Sequence, residues 1–274
     1  MSRVLIIEPG YHERHYWRDL WRYRELFYVL AWRDLSVRYK QTVIGAAWAL
    51  IRPVLTMVVF TVIFGKIAKL PSDGSTPYAL MVFAGMLPWT LFSTGLNDAA
   101  NSLIGNAHLI GKVYFPRLIV PTAATGVALA DFVVAFLVLA GMMAWYMFLP
   151  GWNILLLPAF ILLAFCASLG PALWVASLNV RYRDFRIIVP FLVQLGLYMS
   201  PVGFSSRVVP EPWRLVYGLN PMVGVIDGFR WCLLGGQSAL YLPSLLMSIG
   251  VIGLFLWFGI YRFRKTERSF ADYI

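Results

Sequence analysis

The chain has 274 residues and a formal net charge of +10, with 60% hydrophobic and only 13% charged residues. Soluble domains hold roughly 45 to 50% apolar and about 25% charged residues, so a soluble fold could not bury this much apolar surface. The same composition excludes a disordered chain, and two cysteines are too few for a disulfide scaffold. The composition therefore predicts an integral membrane protein.

The N-terminal segment, residues 1–42, is basic and predicts an amphipathic helix. The apolar residues that recur at helical spacing are Trp17, Leu20, Trp21, Tyr28, Ala31 and Leu35. The charged residues on the opposite side are Arg18, Arg22, Glu25, Arg33 and Lys40. Such a helix is typical of the membrane interface, and the alternative is a soluble helix packed on a partner subunit. The first residues lack a signal-peptide pattern, so we expect this segment to be retained.

Six stretches are apolar enough to cross a bilayer, which takes about 20 helical residues. They are residues 43–64, 78–96, 118–148, 154–178, 187–204 and 241–261. We expect a six-span domain over residues 43–264 and a tail over residues 265–274. The connections on the side of the termini carry 17 Lys and Arg residues and those on the other side carry 5. Both termini are therefore predicted to lie in the cytoplasm.

The region between the fifth and sixth spans is too apolar for a plain loop. Residues 213–219 and 221–234 predict two short helices, each too brief to cross the membrane. Re-entrant or interfacial helices fit this pattern best. The sequence thus predicts an all-α membrane protein with six spans, an N-terminal interfacial helix and a re-entrant pair on the outer side.

Patterns for catalysis are missing from the sequence. Its three histidines lie outside the predicted spans, and its two cysteines are isolated, so no metal-binding spacing occurs. Residues 105–112 weakly resemble a phosphate-binding loop, but five residues separate the glycines, and Val113 stands where Ser or Thr would bind magnesium. We expect no catalytic, cofactor-binding or metal-binding residue in this chain. Any ATP and Mg²⁺ would be bound by another polypeptide.

Two charged residues fall inside the predicted spans, Arg52 in the first and Asp131 in the third. Charges within a membrane are costly, so each calls for an explanation. Asp131 is interpreted either as a proton relay or substrate contact, or as a carboxylate neutralised by contacts between helices. The second interpretation is favoured because the acid is isolated along the predicted path.

Six local patterns follow one another along nearly the whole chain. They are residues 33–53 (RDLSVRYKQTVIGAAWALIRP), 85–92 (GMLPWTLF), 106–117 (NAHLIGKVYFPR), 179–185 (NVRYRDF), 200–202 (SPV) and 220–230 (NPMVGVIDGFR). Together they resemble the membrane subunits of ABC exporters for bacterial cell-surface polysaccharides such as O-antigen, capsule and teichoic acid. The resemblance implies a homodimer in the bacterial inner membrane, two ATP-binding cassette subunits and a lipid-linked polysaccharide substrate. No nucleic acid is expected as a partner.

The resemblance also implies roles for particular residues. The coupling helix to the ATPase would comprise Asn106, His108, Leu109, Ile110, Lys112, Val113, Phe115, Pro116 and Arg117. A second cytoplasmic contact would comprise Arg181, Tyr182, Arg183, Asp184 and Phe185. The cytoplasmic gate helix would include Trp21, Tyr28, Arg38, Tyr39 and Lys40, and the periplasmic gate would include Asn220 and Pro221. We expect Leu109, Ile110, Val113 and Phe115 to form an exposed apolar surface for the ATPase.

Three alternatives remain at this point. The first is an ABC exporter for a small molecule or drug on the same membrane fold. The second is a membrane-embedded glycosyl- or acyltransferase, which would need a pair of acids or a His and Asp on one aqueous side. The third is an ion-coupled carrier, which typically shows inverted repeats. The sequence does not specify the glycan, its lipid carrier or the aromatic residues that line a path.

Overall fold

The computed structural model describes residues 11–40, 47–74, 76–236, 240–267 and 270. All regular elements within these residues are helical, which confirms the predicted all-α class. The helices are α1 (Tyr11–Arg22), α2 (Arg24–Lys40), α3 (Ala47–Phe60), α4 (Tyr78–Gly105), α5 (Ala107–Ile110), α6 (Ile119–Trp145), α7 (Leu157–Arg181), α8 (Phe185–Met199), α9 (Glu211–Tyr217), α10 (Pro221–Leu233) and α11 (Leu242–Thr266). A π-helical segment, Thr61–Ile67, continues α3.

Five helical stretches in the described residues are long and apolar enough to span a membrane. They are Leu50–Ile67, Tyr78–Gly105, Ile119–Trp145, Trp152–Arg181 and Leu242–Thr266. The remaining predicted span corresponds to α8, whose 15 residues are shorter than a typical span. The six-span count therefore stays a prediction. Residues 43–46 of the first predicted span lie outside the described residues, as do parts of both terminal segments.

Helix α4 forms the centre of the bundle. Its side chains from Leu80 to Leu91 are almost all buried, and it packs against α3, α6, α7, α8 and α10. The sequence predicted a span ending at residue 96, but α4 continues to Gly105. The extension contains Asn97, Asp98 and Asn101, which lower its hydropathy, yet Ala99 and Leu103 are fully buried. Burial of one face therefore extends the helix through residues that hydropathy alone excludes.

Helices α7 and α11 approach each other closely at two glycines. A Cβ atom on Gly259 would lie 2.1 Å from the carbonyl oxygen of Gly170, so no larger residue fits without separating the helices. Close backbone approach through small residues is a common way to pack membrane helices, where lipid supplies no hydrophobic drive. This contact fixes α11, and hence the C-terminal segment, on the bundle.

The two short helices predicted between the last spans are present as α9 and α10. Asn220 caps α10, since its side-chain oxygen accepts a hydrogen bond from the Met222 backbone N–H at 3.0 Å. Pro221 then occupies the first turn, where a missing N–H costs nothing. Helix α10 is buried along almost its whole length against α4, α7 and α11, as expected for a short helix held inside a membrane domain.

Helices α3 and α8 form one flank of the bundle and leave much of their surface exposed. The rings of Phe60 and Tyr198 lie 6.3 Å apart, so the last turns of the two helices meet there. Exposed side chains on this flank include Leu55, Val58, Val59, Phe191, Leu192, Leu195 and Tyr198. This α3/α8 flank is the least covered part of the transmembrane region in the single chain.

Candidate functional site

The N-terminal helices lie against one end of the bundle, the end at which α4 gives way to α5. Helix α2 packs on α6. Leu30 is buried, whereas Trp21 and Tyr28 are 72% and 78% exposed. The predicted apolar side therefore has two parts: one packs against the bundle, and the other, which carries Trp21 and Tyr28, is exposed. The sequence did not predict that the amphipathic helix would pack on α6.

The inner side of α2 ends in charged groups that contact two transmembrane helices. One guanidinium nitrogen of Arg38 donates to Asp131 of α6 at 2.6 Å, and another donates to Asp98 of α4. The Tyr39 hydroxyl donates to the second carboxylate oxygen of Asp131. These four residues are called the α2 polar cluster. They join α2 to α4 and α6, and all four are partly buried.

The Arg38 and Tyr39 side chains of the α2 polar cluster both keep their protons at neutral pH. Burial lowers the pKa of Arg38, but its contacts with Asp98 and Asp131 outweigh burial, so that its pKa is raised overall. Burial and the contact with Asp131 raise the pKa of Tyr39 to about 12. Arg38 therefore stays cationic and Tyr39 stays a hydrogen-bond donor, which is the arrangement that two nearby carboxylates require.

The cluster agrees with the favoured interpretation of Asp131, a carboxylate neutralised by contacts between helices. Asp131 is not isolated, because Arg38 and Tyr39 both donate to it. Asp98 was missed because the predicted span ended before it, although it lies within α4. Arg52 lies in the second turn of α3, where its guanidinium sits 5.8 Å from the Trp48 ring centroid and its side chain is exposed.

The segment predicted as a coupling helix contains a single helical turn. We define the coupling segment as residues 106–117, of which α5 occupies Ala107–Ile110. Asn106 links this segment to α2, since its side-chain oxygen accepts a hydrogen bond from Arg33 at 2.5 Å. Its side-chain nitrogen donates to the Ser102 carbonyl at 2.9 Å. Asn106 therefore fixes the junction of α4 and α5 and contacts α2 at the same time.

The expectation that four apolar side chains of the coupling segment are exposed is wrong for two of them. Ile110 is 5% exposed and Phe115 is 3% exposed, because both pack in a core with Leu103, Leu118 and Leu173. Leu109 is half-buried against the same core. The exposed members are His108, Lys112, Val113 and Tyr114, called the exposed coupling surface. Pro116 is buried and Arg117 is half-buried.

A carboxylate beyond the end of α11 binds the other end of the coupling segment. The Arg117 backbone N–H donates to Glu267 at 2.7 Å, and the Arg117 side chain donates to the Glu267 carbonyl. The Tyr16 hydroxyl of α1 donates to the second Glu267 carboxylate oxygen at 3.0 Å. The Arg264 guanidinium lies 4.6 Å from the centroid of the Tyr16 ring. These four residues, the Glu267 anchor, were not identified from the sequence.

Burial of Glu267 raises its pKa, although the hydrogen bonds from Arg117 and Tyr16 and the nearby Arg117 and Arg264 charges oppose this shift. The anchor therefore includes a carboxyl group whose charged form is disfavoured by its surroundings. Hydropathy does not indicate that Glu267 anchors the coupling segment, because Glu267 belongs to a polar tail of the kind that is usually solvated.

The second predicted cytoplasmic contact lies at the same end of the bundle. It occupies the turn between α7 and α8, where Arg181, Tyr182, Arg183 and Asp184 are exposed and Phe185 is half-buried. The Asn179 side chain donates to the Ala100 carbonyl at 2.8 Å and so holds the end of α7 against α4. The turn therefore sits on the same side as the coupling segment, as the resemblance implied.

The opposite end of the bundle, called the distal end, contains a buried cation. Arg230 of α10 is fully buried and donates to three backbone carbonyls, those of Met81 at 3.2 Å, Val202 at 2.8 Å and Phe204 at 2.8 Å. The Asn220 side chain also donates to the Ser200 hydroxyl at 3.0 Å. Arg230 falls in the short helix predicted over residues 221–234, but the sequence did not predict its contacts, which join α10 to the start of α4 and to the turn after α8.

The chain is similar to known transport proteins over most of its length. The ABC-2 type transporter family matches residues 25–234. The chain belongs to that family. It is 28% identical over 265 residues to the O-antigen export system permease protein RfbA of Myxococcus xanthus, covering 94% of this chain and 98% of that protein. It is 26% identical over 260 residues to RfbA of Klebsiella pneumoniae, covering 90% and 94%.

A more distant relative is the inner membrane transport permease YadH of Escherichia coli K12, which is 24% identical over 219 residues, 76% of this chain and 82% of YadH. The family match begins in α2 and ends after α10, so it includes the α2 polar cluster and the coupling segment. Glu267 lies outside the matched residues. The chain is a multi-pass membrane protein of the ABC-2 type, and the described residues place no group of three or more His, Cys, Asp or Glu side chains to hold a metal ion.

Proposed function

We propose that this chain is the membrane subunit of an ATP-driven exporter that moves a lipid-linked, O-antigen-like polysaccharide across the bacterial inner membrane. The observation that carries the proposal is the similarity to O-antigen export permeases over nearly the full length of both chains. A shared fragment would support only a shared fold, whereas this match runs from the N-terminal helices to the last span and so covers the whole membrane subunit.

ATP hydrolysis in this proposal belongs to a separate ATP-binding subunit, two copies of which serve one transporter. The exposed coupling surface supports this assignment because it combines an aromatic and a β-branched side chain with a basic rim. Val113 and Tyr114 are 51% and 46% exposed, and Lys112 lies beside them. Exposed aromatic residues with peripheral charge are typical of a protein interface. The turn at residues 181–185 supplies a smaller contact.

Movement of the docked ATPase would reach α2 through one contact and α1 through another. Asn106 at the start of the coupling segment holds Arg33 of α2, and Glu267 holds both Arg117 and Tyr16 of α1. A displacement of the coupling segment therefore acts on both N-terminal helices. The α2 polar cluster resists that displacement, and its opening would release α2 from α4 and α6 to admit substrate.

The α3/α8 flank is proposed as the homodimer interface and the wall of the translocation path. Gln194 supports this arrangement, because it lies on the exposed side of α8 next to Leu195 and Phe191. A polar amide facing lipid is unfavourable, whereas the same amide facing an aqueous path or a second subunit is satisfied. Exposed Tyr198 on the same helix adds an amphipathic ring that suits passing sugar units.

The proposed orientation places both termini and the coupling segment in the cytoplasm and the distal end in the periplasm. The charge distribution of the connections supports it. In this orientation α2 lies along the inner membrane surface with Trp21 and Tyr28 among the lipid headgroups. Asn220 and Pro221, which begin α10, then hold the outer end of the path closed.

Co-purification with the candidate ATP-binding subunit tests the energy source and its docking surface. Val113→Asp combined with Tyr114→Asp places two charges on the exposed coupling surface without touching the buried core. We expect wild-type permease to retain the ATPase and the variant to lose it, because loss of a single hot-spot residue such as an interface Tyr costs about 2 kcal/mol or more.

The matched control is Trp213→Asp combined with Leu215→Asp on α9, at the distal end, where both residues are exposed. This control should retain the ATPase. Failure of the wild-type chain to bind any ATP-binding subunit would contradict the proposal. Equal loss of the ATPase in both variants would instead contradict the docking surface.

A further inference from the structure

A cavity of about 220 Å³ opens at the distal end between α9, α10 and the start of α11. Three polar groups face it from different helices: the Tyr217 hydroxyl of α9, the Asp227 carboxylate of α10 and the Ser244 hydroxyl of α11. Asp227 is 5% exposed and Ser244 is 4% exposed. No sequence motif and no role described above accounts for this convergence.

Two of these groups have unmet hydrogen-bonding capacity. The Tyr217 and Ser244 hydroxyl oxygens are buried and have no hydrogen-bond partner within the described part of the chain. A buried hydroxyl without a partner costs free energy, so its persistence calls for an explanation such as a ligand. Both residues line the same cavity, so a rotation of each side chain that uncovers its oxygen would let a single occupant satisfy both hydroxyls.

Asp227 adds acceptor capacity to the cavity. Its carboxylate accepts a hydrogen bond from the Ser206 side chain. Arg230, which lies near it, already donates to three backbone carbonyls. An ionised carboxylate has about four lone-pair positions, so Asp227 can accept further hydrogen bonds from an occupant. An occupant that satisfies this set must donate hydrogen bonds to Asp227.

The charges around the cavity favour a neutral occupant. Arg207 and Arg214 both line the cavity. Arg214 donates hydrogen bonds to the carbonyls of Val209 at 2.9 Å and Arg207 at 3.2 Å, and it lies 3.7 Å from the Glu211 carboxylate, which offsets its charge. The buried Asp227 carboxylate would repel a phosphate or a carboxylate placed beside it. The positive and negative groups thus offset each other, which disfavours a site built for an anion.

The remaining walls are apolar and suit a ring with a C–H face. Val223, Leu240 and Tyr241 line the cavity, and Tyr241 is 40% exposed. An exposed aromatic ring can lie against an apolar face while hydroxyls bind elsewhere. A cavity of this volume is below the usual size for a drug-like ligand and matches one small ring.

We propose that this cavity is a binding subsite for one neutral sugar unit, whose hydroxyls pair with Asp227, Tyr217 and Ser244 while its C–H face lies on Tyr241. The inference deepens the proposed function and rests on it for the source of the sugar, namely the exported glycan as it leaves at the distal end. Contacts with a single sugar unit would hold the exported glycan weakly between export steps.

The test uses the full chain in lipid nanodiscs and saturation-transfer NMR with free glucose, galactose, mannose, rhamnose and N-acetylglucosamine. Tyr217→Phe and Ser244→Ala each delete one unpartnered hydroxyl. We expect saturable binding of at least one sugar, weakened between about 2-fold and 10-fold in each variant, as loss of a neutral hydrogen bond predicts. Tyr261→Phe, which alters an exposed tyrosine on α11, is the matched control and should bind like wild type.

Thermal unfolding separates binding from a structural role. Deleting a hydroxyl that has no partner leaves stability unchanged or slightly improved, so both variants should keep the melting temperature of the wild type. A lowered melting temperature would show that these hydroxyls serve the fold, and the proposal would be overturned. Saturable binding of inorganic phosphate in place of sugar would overturn it as well, as would sugar binding that neither variant weakens.

Absence of any saturable sugar signal would show that the cavity holds only water, whose share of liquid volume is about 30 Å³ per molecule. That result would reject the subsite alone if cells with the wild-type chain still display the exported glycan. Failure of the proposed function is a separate result. It would show as unchanged surface glycan in cells that lack the chain, whatever the cavity binds.

Discussion

Arg38 connects the N-terminal helices to the transmembrane bundle through two carboxylates on different helices. Asp98 and Asp131 both contact its guanidinium, so removal of the cation leaves two like charges near each other. Each of the three side chains is about a quarter to a third exposed, which reduces the cost through solvent screening.

Arg38→Met should therefore lower the free energy of unfolding by about 1 to 3 kcal/mol, less than for a fully buried pair. The measurement is thermal or denaturant unfolding of the purified chain. Combining Arg38→Met with Asp98→Asn and Asp131→Asn removes the repulsion and should restore most of the loss. If the single variant is as stable as wild type, the cluster does not hold α2 on the bundle.

Glu267 gives the protein a predictable pH dependence. Its pKa is raised above the ordinary value of 4.5, so near that value the folded state keeps a proton that the unfolded state releases. The folded state then binds more protons, and this contribution to stability falls as pH rises from about 4.5 through the raised pKa. Glu267→Gln cannot titrate and lacks the effect.

The melting temperature of the wild type, measured relative to Glu267→Gln, should fall as pH increases across this range. The experiment compares both proteins in one buffer series at constant ionic strength. Parallel curves for the two proteins would show that Glu267 titrates normally and that its contacts with Tyr16 and Arg117 do not enclose it.

At the scale of helices, α7 and α11 depend on a glycine contact that no other residue type fits. Gly259→Ala places a Cβ against the Gly170 carbonyl and should destabilise the protein by about 1 to 3 kcal/mol, the usual cost of overpacking. Gly253→Ala on the same helix is the matched control, because a Cβ there meets no atom within 4 Å. Equal stability of the two variants would contradict the close approach.

Helix α8 provides a direct test of the proposed path. In a background with Cys166 and Cys232 replaced by Ala, Gln194→Cys should react with a water-soluble maleimide in the assembled transporter. Leu246→Cys on α11 is also exposed in the single chain, with the parent side chain 67% exposed, but it should face lipid and react slowly. Equal labelling of both positions would contradict an aqueous path along α8.

Local patterns predicted most helices, but contacts between distant residues were beyond their reach. Hydropathy located the long helices because lipid exposure and core burial both select apolar residues. It ended α4 too early because Asp98 looks unfavourable until Arg38, 60 residues away in sequence, is placed beside it. The family resemblance placed Phe115 on an exposed surface, and nothing in the local sequence indicates the core that lies beneath this loop.

The whole molecule is organised with its coupling segment and N-terminal helices at one end and the short, buried helix α10 at the other. Asn106 and Glu267 connect the segment after α4 to both α2 and α1. Arg230 and Asn220 fix α10 at the distal end. Long helices α4, α6, α7 and α11 connect the two ends, so a displacement at one end can reach the other through rigid elements.

The central claim is that this chain exports a lipid-linked polysaccharide. The most direct measurement is the amount of surface glycan in cells lacking the chain, compared with cells that regain the wild-type chain or the Val113→Asp and Tyr114→Asp variant. The account predicts that lipid-linked glycan accumulates at the inner membrane without the chain, that wild type restores surface glycan, and that the variant does not. Full surface glycan in cells lacking the chain would contradict the account.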